Sequence, residues 1–339
     1  MKHILKTAVA GAVFAILGAQ AQAQDVTIRL HHFLPEAAPL HAQMLVPLAE
    51  RLSERSDGRL QVELFSSMSL GGRPGDLYDQ AADGAVDVVL TLPGYTAGRF
   101  PQAEVFELPF IMQDSVATSK AFWDLIENDL QDGEFADVQV LTGWVHGPGV
   151  IHSRDPITKL EDLQGMELRG PTRLVTDLLG ELGASPVGMP LPQIPENLSK
   201  GVITGAVVPW EVTPSIKLAE LVSNHTQLGG DRALYTAVFV LAMNIDAYDA
   251  MPEDLRAILD EETGKALAET AGEVMVNADA FGLSVAENNN IVTLEEGEVA
   301  RWIEAAQPVY DRWVSAAGDA GFDGAATIEK ARSLIADNQ

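Results

Sequence analysis

Short apolar runs of strand character, each followed within a few residues by a stretch of helical spacing, leave this chain little room for anything but a layered α/β fold. Val26-Thr27-Ile28-Arg29-Leu30 alternates as a half-buried strand does, and Pro35 and Pro39 mark the turn behind it. A helix is expected from about Leu40 to Ser56, with Leu45, Leu48 and Leu52 on one face and Pro47 shifting its start or kinking it. Arg59 to Phe65 then reads as a second strand and Val86 to Leu92 as a buried third, with a helix around Asp76 to Ala82 between them. A helix near Val116 to Leu130 precedes a strand at Val138 to Leu141. Such alternation with short connections predicts a mainly parallel sheet.

From about Pro148 the pattern starts again, with Ile157 to Leu163, a strand at Met166 to Arg169, a helix at Thr172 to Leu182 and a strand at Gly205 to Val208. The run Thr236 to Met243 is expected to return to the first unit, and beyond Pro252 the chain reads as almost wholly helical. The expected architecture is α/β and two-lobed, with strands crossing between the lobes as hinges and a long C-terminal helical region. Lobe 1 is expected to comprise 24–147 and 234–275, and lobe 2 148–233 and 276–315. A last segment, 316–339, is expected to pack back on lobe 1.

The first residues carry Lys2 and Lys6, an apolar stretch from Ala8 to Leu17 and the small-residue pattern Ala21-Gln22-Ala23. That order predicts a secretory signal peptide over 1–23 and a mature protein that starts near Gln24 and works in the periplasm, soluble and untethered. The chain has no cysteine, which excludes disulfides, thiolate metal centres and thiol nucleophiles. Its 49 acidic residues against 22 basic ones give a net charge of −27, a surface that repels nucleic acid and anionic lipid. An anionic ligand would need a locally positive site inside that field.

Catalytic and metal signatures are missing. The nucleophile elbow, the phosphate loop, the HExxH helix and the EF-hand loop do not occur, and glycines 71, 72 and 75 do not fit dinucleotide spacing. No two histidines lie at i, i+4 on an expected helix, and adjacent His31 and His32 point to opposite faces of their strand. Acidic clusters such as Asp260-Glu261-Glu262 read as solvated helix surfaces. The expectation is no enzyme, no metal and no cofactor.

The segment Leu160 to Pro171, its continuation Leu182 to Pro190, and Gly201-Val202-Ile203-Thr204-Gly205 closely resemble the ligand-binding subunits of tripartite ATP-independent periplasmic (TRAP) transporters, the DctP-like family. Leu70-Gly71-Gly72, Leu108-Pro109-Phe110, Met243-Asn244 and Met251-Pro252-Glu253-Asp254-Leu255 match in the same order. The resemblance implies that Arg169, ending a strand before a proline and a helix, binds the carboxylate of a ligand. The physics agrees: open α/β sheets bind ligands at strand C-termini, a helix N-terminus favours an anion, and a guanidinium grips both carboxylate oxygens.

This sequence departs from the sialic-acid binders of that family. Their second arginine aligns with about Pro148, and their polar Gln-Glu-Asn run with Ala206-Val207-Val208 before Pro209. An apolar pocket is implied, with Trp210, Phe33 and Tyr95 as candidate aromatic walls. Each has a plain alternative, hinge packing for Trp210 and core or loop packing for the others. Arg173 either reinforces the anion site or pairs with Asp177 at i+4, Asn244 either caps a strand end or touches ligand, and His32 is a candidate partner for a ligand hydroxyl.

The resulting expectation is the solute-binding subunit of a TRAP transporter. It would act as a monomer, take an aromatic or apolar monocarboxylate and serve Na+-coupled uptake with a small and a large membrane subunit. A hydroxy acid or sugar acid in the same fold, a sensor subunit, and an exported hydrolase or lyase with a carboxylate pair are the alternatives.

Overall fold

The fold is that of a computed structural model, which describes residues 25–230 and 232–339; the expected signal peptide lies outside the described residues. Eleven strands form two sheets among the described residues. In chain order they are β1 Val26–His32, β2 Leu60–Phe65, β3 Val88–Thr91, β4 Gln139–Val145, β5 Gly149–Ser153, β6 Glu167–Gly170, β7 Ser185–Gly188, β8 Gly205–Pro209, β9 Asn224–Leu228, β10 Val238–Met243 and β11 Asn290–Leu294. The first sheet has the order β2-β1-β3-β10-β4, and the second β11-β9-β5-β8-β6-β7.

Both sheets are mainly parallel, as expected, each with one strand reversed: β10 against the other four of the first sheet and β5 against the other five of the second. β1 runs parallel to β2 and β3, and β6 parallel to β7 and β8, as short strand-helix-strand units require. The antiparallel pairings all belong to β5 and β10, the two strands that follow a passage from one sheet to the other. Each enters the middle of its new sheet against the grain. Beyond Pro252 the chain is almost wholly helical, as expected, with one strand, Asn290–Leu294, added at the sheet edge beside β9.

The two passages lie side by side. Residues 146–148 lead from β4 to β5 and residues 229–237 from β9 to β10. Gly149 N–H donates to Tyr235 O at 3.0 Å, His146 N–H to Ala237 O at 3.3 Å, and the Thr236 hydroxyl to His146 O at 2.9 Å. A third connection is the helix Gly264–Val285, which packs on helix Ser115–Leu125 and β4 at one end and on the turn Trp210–Val212 at the other. It runs unbroken through the lobe boundary expected between 275 and 276. The helix Gly324–Asp337 packs on Ser115–Leu125.

Pro47 acts as anticipated: the helix opens with a wide π-type turn, Leu40–Leu45, before regular α structure over Val46–Arg55. Gly149 answers to a close approach, since a Cβ there would lie 2.0 Å from Tyr235 Cε1. Gly149→Ala is therefore expected to cost about 1–3 kcal/mol through displacement of that ring. Urea unfolding should show it as a lower midpoint at unchanged m-value.

Candidate functional site

The carboxyl ends of β1, β3, β6 and β8 converge where the two sheets face each other, the place where open α/β sheets hold ligands. They line a small cavity between the two sheets. Phe33 follows β1, Leu92 and Tyr95 follow β3, Arg169 and Pro171 end β6, and Val208, Pro209 and Glu211 end β8. His146 and Tyr235 come from the two passages, Phe239 from β10 and Met275 from the long helix. Phe33 meets the Tyr95 ring edge-on at 5.3 Å and stacks on Phe239 at 6.4 Å. The lining is mostly apolar, with a few polar groups converging on it.

Arg169 is the only cation in that lining and is 2 % exposed. Its Nε donates to Met189 O at 2.8 Å and its Nη1 to Val207 O at 2.9 Å, which fixes the plane of the guanidinium. The Tyr95 hydroxyl stands beside it and accepts from Leu191 N–H at 3.1 Å. Among the described residues no carboxylate pairs with Arg169, and its side-chain partner is the Tyr95 hydroxyl. Burial pushes its pKa below the usual arginine value, the mark of a charge taken out of water without a counter-charge.

The other titratable groups here are neutral. Burial holds His146 down at about 4, and its Nδ1 must carry the proton because it faces Gly147 O, so Nε2 is left as an acceptor. Glu107, beneath the cavity, accepts from Val238 N–H at 3.2 Å and is pushed up to about 8 by burial, with Glu104 adding to the shift. Glu211 is raised well above the carboxylate range by burial and by Asp279.

Of the residues anticipated from sequence, Arg169, Phe33 and Tyr95 meet at the cavity; the rest do not. Trp210 faces away: its Nε1 donates to Gln227 Oε1 at 3.0 Å and its ring packs against His152 and His225. Successive residues of a tight turn point in different directions, and here Glu211 turns inward. His32 is sealed within lobe 1, with Nε2 2.9 Å from His41 Nδ1. Asn244 lies at the opposite end of its sheet because β10 runs antiparallel, bringing Phe239 to the cavity and carrying Met243 away beside Val88. It caps helix Ile245–Asp249, accepting from Ala247 N–H and donating to Ala81 O. Arg173 is occupied by Glu104 and, at 3.6 Å, by Asp177, in a side recess.

Sequence reasoning missed His146, Glu211, Tyr235 and Phe239. The expected passages between lobes held a signal for two of them, since a cleft between lobes must be lined by the segments that join them.

The family model described as "Bacterial extracellular solute-binding protein, family 7" (DctP) matches residues 30–316. The chain belongs to this DctP family. Members are solute-binding proteins, and this one is of the TRAP type. A TRAP solute-binding protein from Rhodoferax ferrireducens T118, solved with copurified benzoate, is 47% identical with a TM-score of 0.90, covering 92% of this chain and 98% of that one. A marine-metagenome TRAP protein specific for aromatic acids, solved with 3-hydroxybenzoate, is 39% identical with a TM-score of 0.91, covering 94% and 100%. A third, from Bordetella bronchiseptica with bound (R)- and (S)-mandelate, is 28% identical with a TM-score of 0.85, covering 93% and 100%. No helix of this DctP protein's described residues is long and apolar enough to cross a membrane.

Proposed function

We propose that this protein captures a small aromatic monocarboxylate between its two sheets and hands it to the small and large membrane subunits of a TRAP transporter for Na+-coupled uptake. The observation that carries the reading is Arg169, a buried guanidinium held by two backbone carbonyls, without a counter-charge, at the wall of a mostly apolar cavity. A carboxylate supplies the missing charge and can take bonds from Arg169 and the Tyr95 hydroxyl, while Phe33, Phe239 and Val208 suit an aromatic body. The relatives crystallised with benzoate, 3-hydroxybenzoate and mandelate support the same ligand class. Arg169, Phe33 and Tyr95 are the binding residues, and the paired passages at 146–148 and 229–237 are the hinge. In this role the protein performs no covalent chemistry.

A thermal-shift screen over organic acids tests the reading. An aromatic monocarboxylate at 100 times its dissociation constant is expected to stabilise by about 2.7 kcal/mol, whereas sugar acids should leave the melting point unmoved. If sugar acids alone raise it, the aromatic assignment is wrong.

A further inference from the structure

We propose that Glu211 and Tyr235 form a second recognition point in this cavity, reading a hydroxyl carried on the aromatic acid. The proposal rests on the aromatic-acid reading above and narrows it to hydroxylated members of that class. Both side chains line the cavity and are buried, yet Glu211 Oε2 and the Tyr235 hydroxyl have no partner among the described residues. Unpaired polar atoms in a protein interior are uncommon and costly, so two in one small cavity point to a group that a ligand brings.

Their donor and acceptor characters are complementary. Glu211 N–H donates to Asp279 Oδ1 at 2.8 Å, and the two side-chain carboxyls lie within hydrogen-bond reach of each other. Two carboxylates in contact inside a protein do not both stay ionised. Glu211, the more deeply buried, keeps its proton and gives it to Asp279, which leaves the unpartnered Oε2 of this cavity-lining residue as an uncharged acceptor. Asp279 is itself clamped, since a Cβ on Gly147 would lie 2.3 Å from its Oδ2. Tyr235, whose ionisation is pushed up by burial, retains an O–H to donate, and it feels both Arg169 and Glu211. One acceptor and one donor together match a hydroxyl, while an ionised Glu211 would repel the acid bound at Arg169.

The test is calorimetry at pH 7 with benzoate and its 2-, 3- and 4-hydroxy derivatives, read as the ratio of dissociation constants, benzoate over hydroxybenzoate. For the unaltered protein at least one isomer is expected to give a ratio of about ten or more, as a site built around a hydroxyl discriminates against its absence. Glu211→Gln should keep that preference, because its amide donates to Asp279 and still presents a carbonyl oxygen. Glu211→Leu should bring the ratio to about one, and Tyr235→Phe should lower it. A preference that survives Glu211→Leu, or one lost in Glu211→Gln, overturns the proposal, and the Gln and Phe variants decide the matter if the Leu variant does not fold. Benzoate binding with no isomer preferred also overturns it and leaves the aromatic reading standing. Failure of all four acids to bind sinks the aromatic reading itself.

Discussion

Arg169→Ala is expected to weaken binding of an aromatic acid by about two to four orders of magnitude. The guanidinium would lose roughly two charge-assisted hydrogen bonds of about 1.5–3 kcal/mol each, and about 1.4 kcal/mol corresponds to one decade of affinity. Those bonds form where water is excluded, so no solvent replaces them. Arg169→Lys should recover only a small part. An ammonium has no planar fork with which to hold Met189 O and Val207 O while presenting two further donors to a carboxylate. Titration calorimetry on variants that still melt cooperatively measures both effects, and an affinity unchanged in Arg169→Ala would remove the residue from the site.

Raising the pH from 6.5 to 8.5 is expected to destabilise the ligand-free protein by about 2 kcal/mol through Glu107 alone. Burial lifts Glu107 to about 8, so the folded state holds a proton that the unfolded chain releases near its ordinary value. Stability from this group is complete at acid pH and drains away as the pH climbs toward 8, at about 1.4 kcal/mol per unit. Glu134, raised to about 7 by burial, acts in the same direction over a shorter span. The buried histidines act oppositely: His32 and His152 at about 3, and His146 and His225 at about 4, bind protons more readily when unfolded. Their contribution rises with pH and levels off above about 6.5. The decline should therefore emerge above that point, and Glu107→Gln should flatten it. Chemical denaturation at four or five pH values decides; a profile in the variant as steep as in the parent would rule Glu107 out as its source.

What could be read in advance follows from which forces are local. The buried run at Val86–Leu92 and the helix behind Arg169 announce themselves through period and apolarity alone. By contrast, Ser185-Pro186-Val187-Gly188 and Asn224-His225-Thr226-Gln227-Leu228 are strands only because a neighbour pairs with them, and nothing in their composition says so. Placement at the site divides in the same way. Arg169 was legible because it ends a strand parallel to its neighbours and a family resemblance marks it. Asn244 was misplaced because the direction of β10 is a property of the whole sheet, and Trp210 because the facing of one residue in a tight turn is settled by packing against His152 and His225.

The interleaving of the sheets bears on how the polypeptide can reach its final form. β4 touches no strand of its own sheet except β10, which is made almost a hundred residues later. The amino-terminal half thus cannot close its core as it emerges from a ribosome, and it gains its last strand only after much of the other half has been synthesised. In this family member the first sheet therefore stays open along one edge until the greater part of the chain has been made.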